Sequence, residues 1–241
     1  MKADIPKRIF ITGANRGIGL EFVTQFLKRG ATVFAACRDT GRAEDLLKLK
    51  ATYPETCFPI NLDVADTCSL GAAFEAVQAK TDTLDLLINN AAHTTNLQET
   101  LPELKSEIMM RHFQVNSVAP VLITQKFLKL LRKGNTAKVA TISSEAGSFN
   151  LCSGLTSFRG YSYHASKAAL NMFMLIVASE LRADNIPVIT LHPGFVRTRP
   201  TNSHALLSTT ESVEGMLRVI EKLTLENSGG FYGHDGGKLN W

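Results

Sequence analysis

The sequence lacks most features of secreted, metal-binding and membrane-spanning proteins. Cysteine is scarce, and the four present show neither CxxC spacing nor histidines at metal-ligand intervals: Cys37, Cys57, Cys68 and Cys152. No apolar run approaches the roughly 20 residues of a membrane span. The first residues carry charges and a proline where a signal peptide would be apolar. We therefore expect a cytoplasmic protein with reduced thiols, no metal and no membrane contact.

An excess of one charge is also missing. The 241 residues include 26 lysines and arginines against 22 aspartates and glutamates, a net charge of +4, and the basic residues are scattered. A nucleic-acid-binding surface would need them clustered, so we expect no nucleic-acid partner. With 44% hydrophobic residues, the chain is long and apolar enough to bury a core without disulfides. A small molecule is the expected ligand.

Short apolar runs alternate with helical patterns along the whole chain. The candidate strands are Arg8–Thr12, Thr32–Cys37, Cys57–Leu62, Leu84–Asn89, Lys138–Ser143, Pro187–His192 and Gly230–Gly233. The candidate helices lie near 17–29, 41–51, 66–80, 103–133 with a break at Pro120, 163–184 and 209–225. Because the candidate strands are continuously apolar rather than alternating, they are typical of a parallel sheet covered by helices on both faces.

The sequence therefore predicts an α/β fold, a single doubly wound (Rossmann) domain over residues 1–241 with a parallel sheet of about seven strands. We place the cofactor half at about 1–135 and the catalytic and substrate half at about 136–241. In such sheets ligands bind beyond the carboxyl ends of the strands, where the strand order reverses.

A glycine-rich turn follows the first candidate strand and leads into a helix. Residues 12–19 read TGANRGIG, in which three glycines permit a tight turn and a close approach of the backbone to a pyrophosphate. The alternative is an ordinary strand–helix turn, but the position after the first strand favours dinucleotide binding. The spacing is G-x-x-x-G-x-G, and the loop resembles the cofactor loop of the short-chain dehydrogenase/reductase family.

The resemblance extends from about Arg8 to the final tryptophan. The motifs ANRGIGL, CRD, SSEAGS, LHPGFVRT and GGFYGHDGGKLNW are most similar to the carbonyl-reductase-like branch that includes the C-factor and Sniffer proteins. It implies an oxidoreductase that interconverts a carbonyl and an alcohol with NADP(H), and some members have signalling roles.

The end of the second strand bears on the choice of nucleotide. NAD-binding sites usually have a carboxylate there for the ribose 2′-hydroxyl, and here the chain reads Cys37-Arg38. Arg16, inside the glycine loop, would face the same ribose, and two guanidinium groups suit a 2′-phosphate. The alternative is a pair of solvated arginines, with Asp39 partly neutralising Arg38. We predict NADP(H) in preference to NAD(H).

The resemblance assigns the remaining cofactor contacts. Together with the catalytic pair Tyr163 and Lys167, they are Gly13, Asn15, Arg16, Gly17, Ile18, Gly19, Arg38, Asp63, Val64, Asn90, Ala91, Pro193, Gly194, Val196 and Thr198. The family usually has glycine where this chain has Ala92, which would be strained if the backbone there needed a positive φ.

Four residues carry the predicted chemistry. Tyr163 and Lys167 are four apart in a helical pattern, so their side chains share one face. The resemblance implies that Tyr163 exchanges a proton with the substrate oxygen, while Lys167 favours the phenolate and holds the nicotinamide ribose. Ser144 would orient the substrate oxygen, and Asn116 would help to hold a water for proton relay. Singly, each has an ordinary structural explanation; all four in the family's order favour catalysis.

Two further features concern the substrate and the assembly. The Gly/Ser-rich segment between Ser144 and Tyr163 indicates an extra loop at the substrate mouth. Residues 168–177 (AALNMFMLIV) are apolar on almost every side of the helix, which favours a homodimer, with a tetramer possible; burial under the chain's own loops is the alternative.

Two other functions would share part of this pattern. A catalytically weak dinucleotide-binding signalling or sensor protein would keep every cofactor residue, but the intact set of four catalytic residues disfavours it. An S-adenosylmethionine methyltransferase also begins with a glycine loop, but typically has an acidic residue where Cys37 and Arg38 stand.

Overall fold

The computed structural model describes residues 6–95, 99–153, 160–196 and 207–241. They form a seven-stranded parallel sheet with helices on both faces, which confirms the doubly wound α/β prediction. The strands are β1 (Arg8–Thr12), β2 (Thr32–Cys37), β3 (Cys57–Asn61), β4 (Leu86–Asn89), β5 (Lys138–Ile142), β6 (Val188–His192) and β7 (Phe231–Gly233). The helices are α1 (Gly17–Lys28), α2 (Glu44–Thr52), α3 (Thr67–Gln78), α4 (Ser106–Phe113), α5 (Ala119–Leu131), α6 (Phe149–Cys152), α7 (Tyr161–Leu181) and α8 (Thr209–Glu221). No helix within the described ranges is long and apolar enough to cross a membrane.

The strand order is β3-β2-β1-β4-β5-β6-β7. The chain runs outwards from β1 to β3, then returns to the other side of β1 and runs outwards again to β7. The order therefore reverses between β1 and β4, and a crevice opens there beyond the carboxyl ends of the strands. The glycine loop follows β1 and Asn90 follows β4, so this crevice collects the predicted cofactor residues.

The strands are continuously apolar because each faces a helix layer on both sides. Alternate residues of β1 show this directly: Ile9 and Ile11 pack with α1 and α8, whereas Phe10 packs with α3 and α5 on the opposite face. All three are fully buried. The two apolar clusters fix the sheet between its helix layers and leave the carboxyl edge of the strands for function.

The structure corrects one predicted helix. Residues 103–133 do not break at Pro120; α4 passes into a π-helical turn at 114–118 and then directly into α5. Pro120 has no N–H for the carbonyl four residues earlier, and its ring would crowd that carbonyl in a regular α-helix. The irregularity therefore falls before the proline, and it contains Asn116.

The segment after β5 contains short helical elements that the sequence analysis did not predict. A 3₁₀ turn (Glu145–Gly147) leads into α6, and the C-terminus covers both. The Ser148 hydroxyl donates to the carbonyl of Asn240 at 2.7 Å, and the N–H of Asn150 donates to the carbonyl of Trp241 at 3.1 Å. Residues 154–159 of the predicted extra loop lie outside the described residues.

Candidate active site

The glycine loop after β1 brings two backbone segments unusually close. A Cβ on Gly19 would lie 2.2 Å from the carbonyl oxygen of Gly13, and one on Gly13 would lie 2.9 Å from the Cα of Ala91. Gly13 also has a φ of 66°, in the left-handed region that favours glycine. Helix α1 begins at Gly17, so its first N–H groups and the positive end of its dipole face the crevice.

Asn90 joins this loop to the end of β4. Its side-chain amide donates to the carbonyl of Thr12 at 2.9 Å and to that of Gly13 at 3.1 Å. The Thr12 hydroxyl in turn accepts from the backbone N–H groups of Asn90 and Ala91, both at 3.0 Å. Ala92 has no positive φ, so the alanine in place of the family's glycine causes no backbone strain. Four hydrogen bonds therefore tie the end of β4 to the end of β1 and its glycine loop.

The crevice contains a pocket of about 760 Å³. It is lined by eleven of the predicted cofactor residues: Gly13, Asn15, Arg16, Gly17, Ile18, Gly19, Arg38, Asp63, Val64, Asn90 and Ala91. Its volume suits a dinucleotide, and the close backbone approach at Gly13 and Gly19 is the cradle that a pyrophosphate needs. The residues present therefore fit a nicotinamide dinucleotide.

Two arginines line this pocket near the end of β2: Arg38 follows that strand, and the loop that carries Arg16 is joined to it by a hydrogen bond from the Ala14 N–H to the Ala36 carbonyl at 2.9 Å. Arg16 and Arg38 are both exposed there, next to the buried thiol of Cys37. Asp39 pairs with Arg42 at 3.4 Å, not with Arg38 as the sequence allowed. Asp45 also lines the pocket and is bound to Lys48 at 2.9 Å. The charge at this end is therefore mainly positive, as a phosphate monoester requires.

Tyr163 and Lys167 lie on the first two turns of α7, facing the end of β5. The Lys167 ammonium is 5.8 Å from the centre of the Tyr163 ring and donates to the carbonyl of Ile142 at 2.9 Å. Lys167 is only 2% exposed, and burial lowers the pKa of its ammonium to about 8. Tyr163 therefore lies next to a buried lysine ammonium, and this ammonium loses its proton at a lower pH than an exposed lysine does.

The phenol itself is shifted towards its neutral form. Burial raises the pKa of Tyr163, and a hydrogen bond with the Ser144 side chain acts in the opposite direction. A phenol that stays protonated near neutral pH suits proton donation to a carbonyl oxygen, which is the reductive direction. The structure thus brings Ser144, Tyr163 and Lys167 together.

Asn116 connects this centre to the cofactor pocket. Its amide oxygen accepts from the N–H of His93 at 2.7 Å, and its amide nitrogen donates to the carbonyl of His93 at 2.9 Å and to the Ser166 hydroxyl at 3.0 Å. The Ser166 hydroxyl donates in turn to the carbonyl of Tyr163 at 2.7 Å. His93 lines the pocket, so Asn116 links the pocket wall to the backbone of the catalytic helix.

The cofactor contacts predicted for the loop after β6 stay predictions. Pro193, Gly194 and Val196 follow β6 and are not among the residues that line the cofactor pocket. The Pro193 carbonyl accepts from the Ser212 hydroxyl at 2.6 Å, which ties the loop to α8. Thr198 lies outside the described residues.

A family model described as short chain dehydrogenase matches residues 7–206. The chain belongs to the short-chain dehydrogenase/reductase family.

Similar structures place it more closely within the family. An NADPH-bound carbonyl reductase from chicken fatty liver is 34% identical, with a TM-score of 0.91 over 98% of this chain and 99% of that one. The carbonyl reductase Sniffer of D. melanogaster is 28% identical, with a TM-score of 0.91 over 98% and 99%. The C-signal protein of Myxococcus xanthus is 36% identical over 69% of this chain and 98% of its own length. The chain is thus an oxidoreductase of the carbonyl-reductase-like branch.

The sequence analysis missed the buried polar residues behind the catalytic ones. Asn171 accepts from the Ser143 hydroxyl at 2.6 Å and donates to the carbonyl of Gly147 at 3.1 Å, so it holds both ends of the turn that carries Ser144. One signal was available: Asn171 is a polar residue within an apolar run, one helical turn after Lys167. Ser166 gave no such signal, because a single serine in a helix is ordinary.

Proposed function

We propose that this member of the family is an NADPH-dependent carbonyl reductase with Tyr163 as its proton donor. The observation that carries the proposal is the environment of Tyr163. The Ser144 side chain lowers its pKa against the effect of burial, and its ring centre lies 5.8 Å from the buried ammonium of Lys167. A protonated phenol between a hydroxyl group and a cation can protonate an oxygen while the charge that develops on it is stabilised.

The proposed reaction adds one hydride to the carbonyl carbon and one proton to the carbonyl oxygen. A bound nicotinamide would supply the hydride to the carbonyl carbon. Tyr163 donates its proton to the carbonyl oxygen as the C=O double bond becomes a single bond, and Ser144 holds that oxygen by a hydrogen bond. The Lys167 ammonium stabilises the resulting phenolate until solvent returns a proton. Asn116 keeps the backbone of Tyr163 in place through Ser166 and is the proposed partner of a relay water.

The preference for NADP(H) over NAD(H) rests on Arg16 and Arg38. Both border the pocket at the end of β2, where a site for NAD would have a carboxylate. Arg guanidinium groups form paired hydrogen bonds with phosphate oxygens, so this end of the pocket favours a 2′-phosphate. The NADPH found in the similar chicken enzyme supports the same assignment.

Loss of NADPH absorbance with a panel of aldehydes, quinones and diketones tests the proposal. The wild-type chain should reduce at least one class and should prefer NADPH to NADH. Tyr163→Phe should lower kcat by about 100- to 10,000-fold, the usual range for loss of a general acid, while NADPH still binds. Equal turnover in Tyr163→Phe would exclude Tyr163 as the donor.

A second candidate is a dinucleotide-binding signalling protein with little catalysis, and the similarity to C-signal favours it. The two candidates share the cofactor pocket and differ only in turnover. NADPH binding by fluorescence together with no oxidation of NADPH across the whole substrate panel would favour this second function.

We also propose that the chain forms a homodimer through α7. Ala165, Ala169, Met172 and Ile176 form a stripe on one side of the helix, and Met172 and Ile176 are 58% and 54% exposed. Exposed apolar stripes of this kind mark interfaces. Light scattering should give a dimer mass for the wild type and a monomer mass for Ile176→Glu; a wild-type monomer would exclude the assembly.

A further inference from the structure

The first turn of α7 carries Tyr163 but has no cap of its own. Gly160 occupies the position before the helix in a left-handed conformation with a φ of 95°, and it has no side chain to accept from the helix. The first turn also contains no acidic residue. The first N–H groups of a helix have no partner within it, so this turn depends on groups from elsewhere.

Glu99 supplies the missing acceptor from a distant part of the chain. Its carboxylate accepts from the N–H of Ser162 at 2.7 Å and from the Ser162 hydroxyl at 2.5 Å. Ser162 is fully buried and Glu99 is half-buried, so water reaches these bonds only from the carboxylate side. Hydrogen bonds to an ionised carboxylate are stronger than neutral ones, and a negative charge at a helix N-terminus is favourable.

These two bonds act on the residue directly before Tyr163. On the other side, the Ser166 hydroxyl holds the carbonyl of Tyr163 at 2.7 Å and is itself held by Asn116. The backbone of Tyr163 is thus fixed before and after the residue. Without Glu99 the first turn would be free to fray, and the phenol would move relative to Ser144.

Glu99 also belongs to the stretch of chain that leaves the cofactor pocket. Ala91 and His93 line that pocket, and Asn116 binds the backbone of His93 on both sides. The stretch between β4 and α4 is therefore connected to α7 at two places. Near the start of the stretch, His93 is bound to Asn116, which binds Ser166 of α7. Further along, Glu99 binds Ser162 of α7 directly. The wall of the cofactor pocket and the position of Tyr163 are physically connected.

We propose that Glu99 is a positioning residue for Tyr163, which it holds in place through Ser162. The inference rests on the proposed function for the role of Tyr163, and on the Glu99–Ser162 contact for the rest. Glu99 contacts neither substrate nor cofactor in this proposal; it sets where the proton donor lies.

A matched pair of glutamates in the same stretch makes the kinetic test specific. Glu99→Gln leaves one acceptor oxygen where two are needed. Glu103→Gln changes an exposed glutamate four residues later whose carboxylate binds only the Thr100 hydroxyl among the described contacts. We expect Glu99→Gln to lower kcat about tenfold, the equivalent of one charge-assisted hydrogen bond, with the KM for NADPH unchanged. Glu103→Gln should behave as the wild type.

A double variant separates positioning from general damage. If Glu99 acts through Tyr163, Glu99→Gln should not slow further the residual single-turnover rate of Tyr163→Phe. An equal tenfold loss in both backgrounds would overturn the proposal, as would a wild-type kcat in Glu99→Gln.

Hydrogen exchange measured by mass spectrometry tests the contact without turnover. Glu99→Ala should speed exchange about tenfold or more in peptides covering the first turn of α7, while β1 and β5 keep their protection. Unchanged exchange there would overturn the role of Glu99 even in an active enzyme. A wild-type chain that reduces no carbonyl would instead overturn the proposed function, and the exchange result would still decide whether Glu99 holds this turn.

Discussion

The cofactor pocket and the catalytic centre lie at the same edge of the sheet but are built in different ways. The pocket depends on glycines that allow the backbone at Gly13 and Gly19 to approach closely. The catalytic centre depends on polar side chains buried behind the reacting groups, of which Asn116 and Lys167 are 1% and 2% exposed. The first needs the absence of side chains, and the second needs particular side chains held by hydrogen bonds.

This difference determines how each region can fail. A methyl group added at Gly13 or Gly19 would overlap backbone atoms of the neighbouring segment, which can make room only if the loop changes shape. Removing one amide from the catalytic centre leaves buried donors and acceptors without partners while the fold remains. We therefore expect variants of the pocket to lose binding, and variants behind the catalytic centre to lose rate with binding kept.

The largest effect should follow from Gly19→Ala. The new Cβ would lie 2.2 Å from the Gly13 carbonyl oxygen and 2.5 Å from the Asn90 amide nitrogen, so the loop must open. We expect NADPH affinity to fall by at least about 100-fold and the free energy of unfolding by roughly 2 kcal/mol. Fluorescence titration and urea denaturation measure the two quantities.

Gly71→Ala is the matched control for this change. Gly71 lies inside α3, where a Cβ would meet nothing within 4 Å. Alanine there should raise stability by about 0.5–1 kcal/mol and leave NADPH binding unchanged. Equal affinities in Gly19→Ala and Gly71→Ala would show that the close approach of the loop is unimportant.

The second effect should come from Asn171→Leu, on the catalytic side. This change leaves the Ser143 hydroxyl and the Gly147 carbonyl without partners and frees the turn that carries Ser144. We expect kcat to fall about 10- to 100-fold, because small displacements of catalytic groups are costly. NADPH affinity should stay within about twofold of the wild type.

Met172→Leu provides the comparison, since residue 172 follows Asn171 on the same helix but is exposed. It should change neither kcat nor affinity. If Asn171→Leu weakened NADPH binding as much as it slowed turnover, the division between a binding region and a rate-determining region would be wrong.

The same division explains what the sequence could predict. The glycine loop lies within residues 12–19, so local spacing is enough to identify it, and strand–helix alternation predicts a doubly wound parallel sheet of about seven strands. The predicted break at Pro120 was wrong in position, because the proline itself does not show at which residues the helix becomes irregular to accommodate it; the irregular turn lies before it, at 114–118. Asn171, Ser166 and Glu99 act through partners up to 63 residues away, and these contacts exist only once the chain is folded.

A third prediction uses the buried ammonium of Lys167. Its folded pKa of about 8 lies below the roughly 10.4 of an unfolded lysine, so the unfolded chain binds more protons between these values. Burying the charge therefore costs stability below pH 8, and the cost disappears as pH rises through that window. Lys167→Met should be more stable than the wild type by about 2 kcal/mol at pH 7, without cofactor, and by less at pH 9.5.

Urea denaturation of the wild type and of Lys167→Met at pH 7 and pH 9.5 tests this prediction. The contributions of all other titrating groups are the same in both proteins, so they cancel when the two free energies of unfolding are subtracted. Reduction by the wild type should also decline above about pH 8, as Lys167 loses its proton. A Lys167→Met chain less stable than the wild type at pH 7 would mean that the bond to Ile142 outweighs the cost of the buried charge.

The smallest effect is expected at Arg38, where the cofactor region depends on a side chain that is neither buried nor packed. Arg38→Leu should lower the ratio of kcat/KM for NADPH to that for NADH about tenfold, the value of roughly one charge-assisted hydrogen bond. Arg42→Leu is the control, because Arg42 is equally basic but is bound to Asp39. A loss confined to Arg38→Leu, with NADH kinetics unchanged, would show that specificity in this pocket is set by exposed charge while affinity is set by buried backbone. If this ratio fell equally in Arg38→Leu and Arg42→Leu, the loss would come from the lower net positive charge and not from a contact of Arg38. Binding of the 2′-phosphate would then be assigned to Arg16 alone.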